Sequence, residues 1–325
     1  MNLFQKLAKA MAVAAFAAMP IVAFAASAVK VDPELPEYKP ASGISGSIKS
    51  VGSDTLNNLM TLWAEEFNKQ YPNVQIEIEG KGSSTAPPAL IQGTAQFGPM
   101  SREMKADEIQ AFKAKYGYPP VAIKVGVDAL AVFVHKDNPI KEISMDQIRQ
   151  VFSVEGKDMK WGDLGATGEW ADKPISLYGR NSASGTYGFF KEHALGKKDF
   201  KNTVKEQPGS SSVVQGVAAD KFGMGYSGIG YVTADVKALA VSNPKGDTKE
   251  AFAPTAENAY SGDYPLARFL FMYINAKPGT GATPIVQEFV KLIASQQGQQ
   301  TVVKDGYFPL TKKTADEQIK AASGK

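Results

Sequence analysis

The segment IKSVGSDTLNNLMTLWAEEF, residues 48–67, joins an apolar run to a helical pattern through a short polar turn. Its first part, residues 48–52, predicts a strand that ends at this turn. Ser53, Asp54 and Thr55 then stand at a helix start, where each is either a capping residue or a ligand contact. The apolar residues that follow recur at helical spacing and define one face of a helix: Leu56, Leu59, Met60, Trp63 and Phe67.

The same order of strand, polar loop and helix recurs further along the chain. Residues 74–78 alternate between polar and apolar side chains as a strand does, and GKGSST, residues 80–85, leads from them toward another helix. A later strand at residues 175–178 is followed in the same way by GRNSASGT, residues 179–186. This cadence predicts an α/β fold of mixed, mostly parallel sheets flanked by helices.

Two long apolar segments are candidate crossings between two lobes. They are AIKVGVDALAVFVH, residues 122–135, and LARFLFMYIN, residues 266–275. If they pair as hinge strands, residues 47–127 plus 270–322 form lobe I, and residues 128–269 form lobe II. A mature chain of about 300 residues is long enough for two domains of ordinary size. A ligand bound between the lobes would then close a hinge.

The polar loops between these elements are rich in hydrogen-bond donors. In sheets of this kind ligands bind beyond the carboxyl ends of the strands, and the loops at Ser53, Ser83 and Ser101 occupy such positions. Hydroxyls, free backbone N–H groups and the Arg180 guanidinium all donate hydrogen bonds. Residues 184–186 are expected to begin a helix, whose free N–H groups and positive dipole end favour an anion. The sequence therefore predicts a receptor for an oxyanion and not an enzyme.

The first residues of the chain are typical of an export signal. Lys6 and Lys9 precede an apolar run at residues 10–24, and Ala-Phe-Ala at residues 23–25 offers a cleavage site. An apolar run of about 15 residues is shorter than the roughly 20 that a membrane-spanning helix needs. We therefore predict a signal peptide at residues 1–25 and a mature protein in the periplasm.

The two ends of the mature chain and its charge are also informative. Residues 26–46 contain three prolines and predict an irregular N-terminal arm, and the lysine-rich end from Lys312 predicts a frayed helix. Removal of residues 1–25 takes away two lysines and no acids, so the net charge falls from +3 to 3 − 2 = +1. Such a charge provides no basic surface for nucleic acid.

Catalytic and metal chemistry have few residues to draw on in this sequence. The chain contains no cysteine, which excludes disulfides, thiolate metal sites and a lipid-modified cysteine. Its two histidines, His135 and His193, stand on separate segments without the spacing of a metal site or a catalytic triad. We therefore expect no metal, no cofactor and no catalytic residue.

Eight motifs follow one another along the chain: VGSDTL, GKGSST, FGPMSRE, VGVDALAVFVH, IRQVF with WGDLG, GRNSASGTYGFF, GMGYSGIGY and GQQTVVKDGYFPL. With them the chain strongly resembles the periplasmic phosphate-binding component of Pst-type ABC transporters over nearly all of its mature length. The resemblance implies a type II periplasmic binding protein of two α/β lobes joined by two hinge strands. It also implies capture of inorganic phosphate and its delivery to a membrane permease, and we expect a monomer.

The resemblance assigns phosphate contacts residue by residue. The family's motif positions fall on Thr55, Leu56, Ser83, Arg180, Ser184, Gly185 and Thr186. Polar neighbours complete the predicted phosphate-binding set: Ser53, Asp54, Ser84, Ser101, Arg102, Asp128 and Ser182.

Two positions depart from the best-known form of the family. Ser101 and Arg102 stand where that form has an aspartate that accepts the phosphate proton, and Arg102 either braces Asp54 or lies on the rim. Ser182 stands where a companion acid braces the site arginine. Asp54 is the first candidate for the acceptor, with a plain N-cap as its alternative. Asp128 is the second, with a structural hydrogen bond to the backbone as its alternative.

Two further hypotheses remain open at this stage. The ligand could be another tetrahedral oxyanion, such as sulfate, molybdate or tungstate, because all of these present oxygen acceptors in a similar arrangement. The arm at residues 26–46 could also serve an additional adhesion or surface role outside transport.

Overall fold

The computed structural model describes residues 29–242 and 250–325. The predicted signal peptide at residues 1–25 lies outside these ranges. The strands are β1 (Ser47–Val51), β2 (Gln75–Glu79), β3 (Phe97–Met100), β4 (Val121–His135), β5 (Glu142–Ser144), β6 (Ser176–Arg180), β7 (Lys205–Gln207), β8 (Gly223–Gly228), β9 (Val236–Ala238), β10 (Ala240–Ser242), β11 (Ala251–Phe252) and β12 (Ala267–Ile274).

The α-helices are α1 (Asn57–Gln70), α2 (Ala86–Gln92), α3 (Ala106–Tyr116), α4 (Met145–Phe152), α5 (Gly185–His193), α6 (Ser210–Ala219), α7 (Ala256–Ser261), α8 (Pro284–Ile293), α9 (Gln296–Lys304) and α10 (Lys312–Ala322). Short 3-10 helices occur at Asp54–Leu56, Ser83–Thr85, Trp161–Leu164, Gly168–Trp170 and Ile229–Tyr231.

The segment at residues 48–67 folds in the predicted order of strand, polar turn and helix. It forms β1, the 3-10 turn at Asp54–Leu56, and α1. The predicted apolar face of α1 is buried, because Trp63 and Phe67 both lie in the core. Burial of each large apolar side chain stabilises the fold by about 1.5 to 3 kcal/mol, which holds the polar turn at one end of a fixed helix.

Within the described residues, the main sheet has nine strands in the order β2-β1-β3-β12-β4-β8-β6-β7, with β9 also paired to β4. The outer pairs, β1 with β2 and β3 and β6 with β7 and β8, are parallel as predicted. The central pairs are antiparallel, because β4 and β12 run against their neighbours. The predicted mixed α/β class is therefore confirmed, and the parallel pairs of the main sheet lie at its two flanks, while β10 and β5 pair in parallel in a separate three-stranded sheet with β11.

The long strand β4 belongs to both halves of the main sheet. Its residues 121–129 pair with β12, whereas residues 130–135 pair with β8 and β9. The two predicted crossing strands therefore exist and are direct neighbours. Strands from both predicted lobes join in one continuous sheet, because a single strand supplies hydrogen-bonding partners to each half.

Two large apolar clusters are buried on different parts of this sheet. One contains Phe152, Trp161 and Phe190, and apart from Val127 and Phe308 its buried members fall within residues 128–269. The other surrounds the α1 face, and its buried members fall within 48–125 and 270–322. The division into lobes at the stated boundaries stays a prediction, and the separation of these two clusters supports it.

The described part of the N-terminal arm, residues 29–46, is irregular, as predicted, but it is packed against the C-terminal helices. Leu35 is buried against Ala294 and Ala315, and the Tyr38 hydroxyl donates a hydrogen bond to Glu288 at 3.0 Å. These contacts fasten the arm to α8 and α10. An adhesion role for the arm stays a prediction.

The lysine-rich end forms the predicted helix, α10, and one face of it packs on the rest of the chain, while its fraying stays a prediction. Its Ala315, Gln318 and Ala322 are buried, and the Gln318 side-chain oxygen accepts a hydrogen bond from the Lys124 amide at 2.9 Å.

Candidate anion-binding site

Five buried hydroxyl side chains from four loops meet in what we call the hydroxyl cluster: Ser53, Thr55, Ser83, Ser101 and Thr186. Ser101 Oγ lies 3.1 Å from Ser53 Oγ, and it lies 3.4 Å from both Ser83 Oγ and Thr186 Oγ1. Thr55 Oγ1 and Thr186 Oγ1 are 2.9 Å apart, although the two residues are 131 positions apart in sequence. Because these groups are shielded from bulk water, each needs a partner in the protein or on a ligand.

The sheet brings these loops together at one edge. The loops of Ser53, Ser83 and Ser101 follow β1, β2 and β3, which are parallel neighbours. The carboxyl ends of parallel neighbours lie at the same edge of a sheet, so the predicted placement of these three loops is confirmed. Thr186 joins them from the first turn of α5, which follows β6.

At the start of α5 the backbone lies close to the hydroxyl cluster. Ser184 is the N-cap, and its Oγ accepts hydrogen bonds from the amides of Thr186 at 3.1 Å and Tyr187 at 3.4 Å. A methyl group on Gly185 would lie 2.2 Å from Ser83 Oγ. Glycine is therefore required here by space, since a side chain would collide with the cluster.

Arg180, at the end of β6, lies beside the hydroxyl cluster as a buried cation. Its Nη2 is 3.2 Å from Asp54 Oδ2, and its Nη1 donates to Ser210 Oγ at 2.7 Å. Its Nε has no hydrogen-bond partner in the part of the chain that the structure describes. Burial lowers the pKa of Arg180 below its ordinary value, while the Asp54 charge opposes this shift. Because a guanidinium stays protonated in proteins, Arg180 keeps a buried charge and an unused donor.

Asp54 caps a helix other than its own. Its Oδ2 accepts a hydrogen bond from the Ser210 amide at 2.8 Å, at the start of α6, where the N-cap residue Gly209 has no side chain to do so. The alternative for Asp54, a plain N-cap on the helix that follows it, is therefore not what the structure shows. Asp54 also forms an ion pair with Arg180. It therefore takes the place of the companion acid, whose family position is occupied here by Ser182. A role for Asp54 as acceptor of a phosphate proton stays a prediction.

Sequence reasoning missed Arg268, which contacts the hydroxyl cluster at Ser101 and Thr186. Its Nε and Nη2 donate to Asp128 Oδ2 at 3.0 and 2.8 Å, Nη1 donates to the Ser101 carbonyl oxygen at 2.7 Å, and Nη2 donates to Thr186 Oγ1 at 2.9 Å. A signal was available in the sequence. Arg268 is the one charged residue in LARFLFMYIN, and its cross-strand partner in β4 is Asp128.

Asp128 accepts three hydrogen bonds from groups of the protein. Its Oδ2 accepts two hydrogen bonds from Arg268, and its Oδ1 accepts one from the Ile229 amide at 3.0 Å. The side chain has no exposed surface. These contacts support the structural alternative, and a role for Asp128 as acceptor of the phosphate proton stays a prediction.

Four members of the predicted set do not bring side chains into the cluster. Ser84 and Ser182 are exposed. Arg102 forms an ion pair with Glu108 at 2.8 Å and reaches only the Ser84 hydroxyl at 3.5 Å, so it lies on the rim and does not brace Asp54. Leu56 points into the core, which leaves only its backbone for a ligand.

Two kinds of feature are absent from the ranges 29–242 and 250–325. No helix there combines the length and the apolar character needed to cross a membrane. No group of three or more His, Cys, Asp or Glu side chains there is arranged to hold a metal ion.

Known proteins are similar to this chain in sequence and in fold. The PBP superfamily domain matches residues 39–297. The phosphate-binding protein PstS of Pseudomonas aeruginosa is 56% identical over 97% of this chain and 98% of its own length, and PstS of Staphylococcus haemolyticus is 30% identical over 85% of each. A phosphate ABC transporter substrate-binding protein of Clostridium perfringens, solved with bound phosphate, has a TM-score of 0.70 at 25% identity, covering 82% of this chain and 100% of that one.

These matches first define the class, which is that of the PBP superfamily. The mixed sheet and the polar loops at its carboxyl edge agree with that class. The similarity to curated relatives extends along nearly the whole chain and narrows the assignment. The chain belongs to the family of the phosphate-binding protein PstS.

Proposed function

We propose that this protein captures inorganic phosphate at the hydroxyl cluster. Serine and threonine hydroxyls, the amides at the start of α5 and the Arg180 guanidinium would replace the water shell of the anion. Such charge-assisted hydrogen bonds are shorter and stronger than neutral ones. The family membership and the bound phosphate in the Clostridium perfringens relative support this ligand.

The observation that carries the proposal is the state of Arg180. Its side chain is 1% exposed, it carries a charge that burial disfavours, and its Nε lacks a partner among the described residues. A buried charge and an unsatisfied donor both cost stability. An oxyanion beside the hydroxyl cluster would supply an acceptor for this donor and would add to the attraction that Asp54 already exerts on the cation, which a neutral ligand would not do.

The residues proposed to contact phosphate come from both predicted lobes: Ser53, Thr55, Ser83, Ser101, Arg180, Ser184, Gly185 and Thr186. Asp54 would hold Arg180 in place beside them. Because the cluster spans the predicted cleft, binding would draw the lobes together about β4 and β12.

The transport context is part of the same proposal. After cleavage of residues 1–25 the protein would reside in the periplasm as a monomer. It would pass phosphate to the permease of a phosphate ABC transporter and catalyse no reaction. The named relatives are binding proteins of phosphate transport, which supports this role.

Isothermal titration of the chain without residues 1–25 tests the ligand directly. We expect saturable binding of phosphate, and Arg180→Gln should weaken it by at least about 100-fold, because it removes a charged donor from a buried site. Arg149→Gln is the matched control, since the Arg149 Nε also lacks a partner among the described residues, but Arg149 lies outside the hydroxyl cluster, pairs with Asp146 at 3.3 Å and is 39% exposed. Absence of heat with phosphate would reject the proposal. Tighter binding of sulfate or molybdate would favour the other oxyanions.

A further inference from the structure

Arg268 contacts three parts of the protein that meet at the hydroxyl cluster. Through separate N–H groups it reaches the Asp128 carboxylate on β4, the Ser101 carbonyl after β3, and the Thr186 hydroxyl on α5. The first two lie on either side of the predicted hinge, and the third lies in predicted lobe II. Arg268 is thus connected to the central strand and to a cluster residue from each predicted lobe.

The contact with Thr186 determines the direction of that hydroxyl. A guanidinium has donors and no acceptor, so Thr186 Oγ1 must accept from Arg268 Nη2. The one hydroxyl hydrogen of Thr186 then remains to be donated. It can point to Thr55 Oγ1 at 2.9 Å, to Ser101 Oγ at 3.4 Å, or to an anion placed among them.

The positive charge of Arg268 is balanced by the Asp128 carboxylate. The Arg268 and Asp128 side chains are 2% and 0% exposed, and their closest N–O distance is 2.8 Å. A buried pair of this kind is costly to break, because the remaining partner becomes an uncompensated charge. The pair can therefore orient Thr186 without adding net charge to the site.

We propose that Arg268 is a positioning residue of the phosphate site, which orients the Thr186 hydroxyl as a donor toward the anion. Its bond to the Ser101 carbonyl also holds the loop after β3 against the start of α5. The inference rests on the proposed function, because it concerns the affinity of that same site for phosphate. It assigns to Arg268 no direct contact with the ligand.

A double-mutant cycle tests this coupling in the chain without residues 1–25. Phosphate affinity is measured for wild type, Arg268→Gln, Thr186→Val and the double variant. We expect Arg268→Gln alone to weaken phosphate binding by about tenfold, because a misdirected hydroxyl no longer donates reliably. In the Thr186→Val background, which has no hydroxyl to orient, the same change should cost less than about threefold. Arg149→Gln is the control for loss of an arginine, and thermal melting checks each fold.

The outcomes separate this inference from the proposed function. If wild type binds no phosphate, the proposed function itself is rejected. If wild type binds but the two substitutions are additive, only the role of Arg268 is rejected. Should Arg268→Gln not fold, Arg268→Lys replaces it, since a lysine keeps the charge beside Asp128 but cannot span Ser101 and Thr186. Wild-type phosphate affinity in a folded Arg268→Lys variant would also overturn the inference.

Discussion

Asp54 and Arg180 face each other with Oδ2 and Nη2 3.2 Å apart, and the same Asp54 oxygen accepts the Ser210 amide hydrogen at 2.8 Å. Asp54 lies after β1 and Arg180 at the end of β6, so this contact joins the two predicted lobes. The side chains are 24% and 1% exposed, so water screens the pair much less than a surface ion pair. Asp54 therefore stabilises both the site arginine and the start of α6.

Replacement of Asp54 should leave the buried charge of Arg180 without its counter-charge. We expect Asp54→Asn to lower the free energy of unfolding by about 1 to 3 kcal/mol without phosphate, because a buried cation loses its counter-charge. Phosphate should restore most of this loss, so the rise in melting temperature on adding phosphate becomes larger than in wild type. An identical rise in both proteins would contradict the expectation. In parallel titrations, an unchanged phosphate-to-sulfate affinity ratio would exclude Asp54 as the proton acceptor.

A methyl group at Gly185 should obstruct the site. It would lie 2.2 Å from Ser83 Oγ and 2.7 Å from Ser101 Oγ. We expect Gly185→Ala to weaken phosphate binding by at least about tenfold, since the contacting loops can no longer approach each other. Gly188→Ala in the same helix is the matched control, because its methyl group would meet only the Arg102 side chain, at 3.3 Å, and no member of the hydroxyl cluster. Equal phosphate affinities for the two variants would disprove the role of the close approach.

Asp305 should make stability depend on pH. Burial raises the pKa of Asp305 to about 6, although a hydrogen bond from Asn58 opposes this shift. The folded chain then binds more protons than the unfolded chain between pH 3.8 and about 6, so this carboxyl makes stability fall as the pH rises through that window.

Asp305→Asn should remove that loss. Its stability relative to wild type should grow from near zero at about pH 4 to about 1 to 2 kcal/mol at pH 7, a range that allows for the partial exposure of Asp305. Urea unfolding at a series of pH values measures the difference. A gain that is the same at every pH would show that the carboxyl does not titrate as inferred.

The arm should contribute to stability without contributing to binding. Leu35 is 2% exposed and packs on α8 and α10, so Leu35→Ala should cost about 2 to 3 kcal/mol. Phosphate affinity should stay at the wild-type value, because Leu35 packs on the C-terminal helices and not on the hydroxyl cluster. Val154→Ala, at a side chain that is 58% exposed, should change stability by less than about 0.5 kcal/mol. A loss of phosphate affinity in folded Leu35→Ala would count against this separation.

The local order of elements and the loops of the site could be read from the sequence. Apolar spacing depends on neighbours a few residues apart, so β1, α1 and the crossing strand β4 were predictable from their own residues. The loops of Ser53, Ser83 and Ser101 followed from the rule that loops after parallel strands share one edge. Gly185 of the motif GRNSASGT was also predicted at the site, although the steric reason for a glycine there was not.

The charge pairs of the site were decided by the tertiary structure alone. Asp128 and Arg268 are 140 positions apart, and Asp54 meets Arg180 only because β1 and β6 direct their loops to the same place. Nothing local to Asp54 distinguishes a cap on its own helix from a cap on α6. The amino-acid order determined which segments are strands, helices and donor loops, because those depend on short-range spacing. The fold decided which charges neutralise each other, because burial and distance arise only once the sheet is assembled.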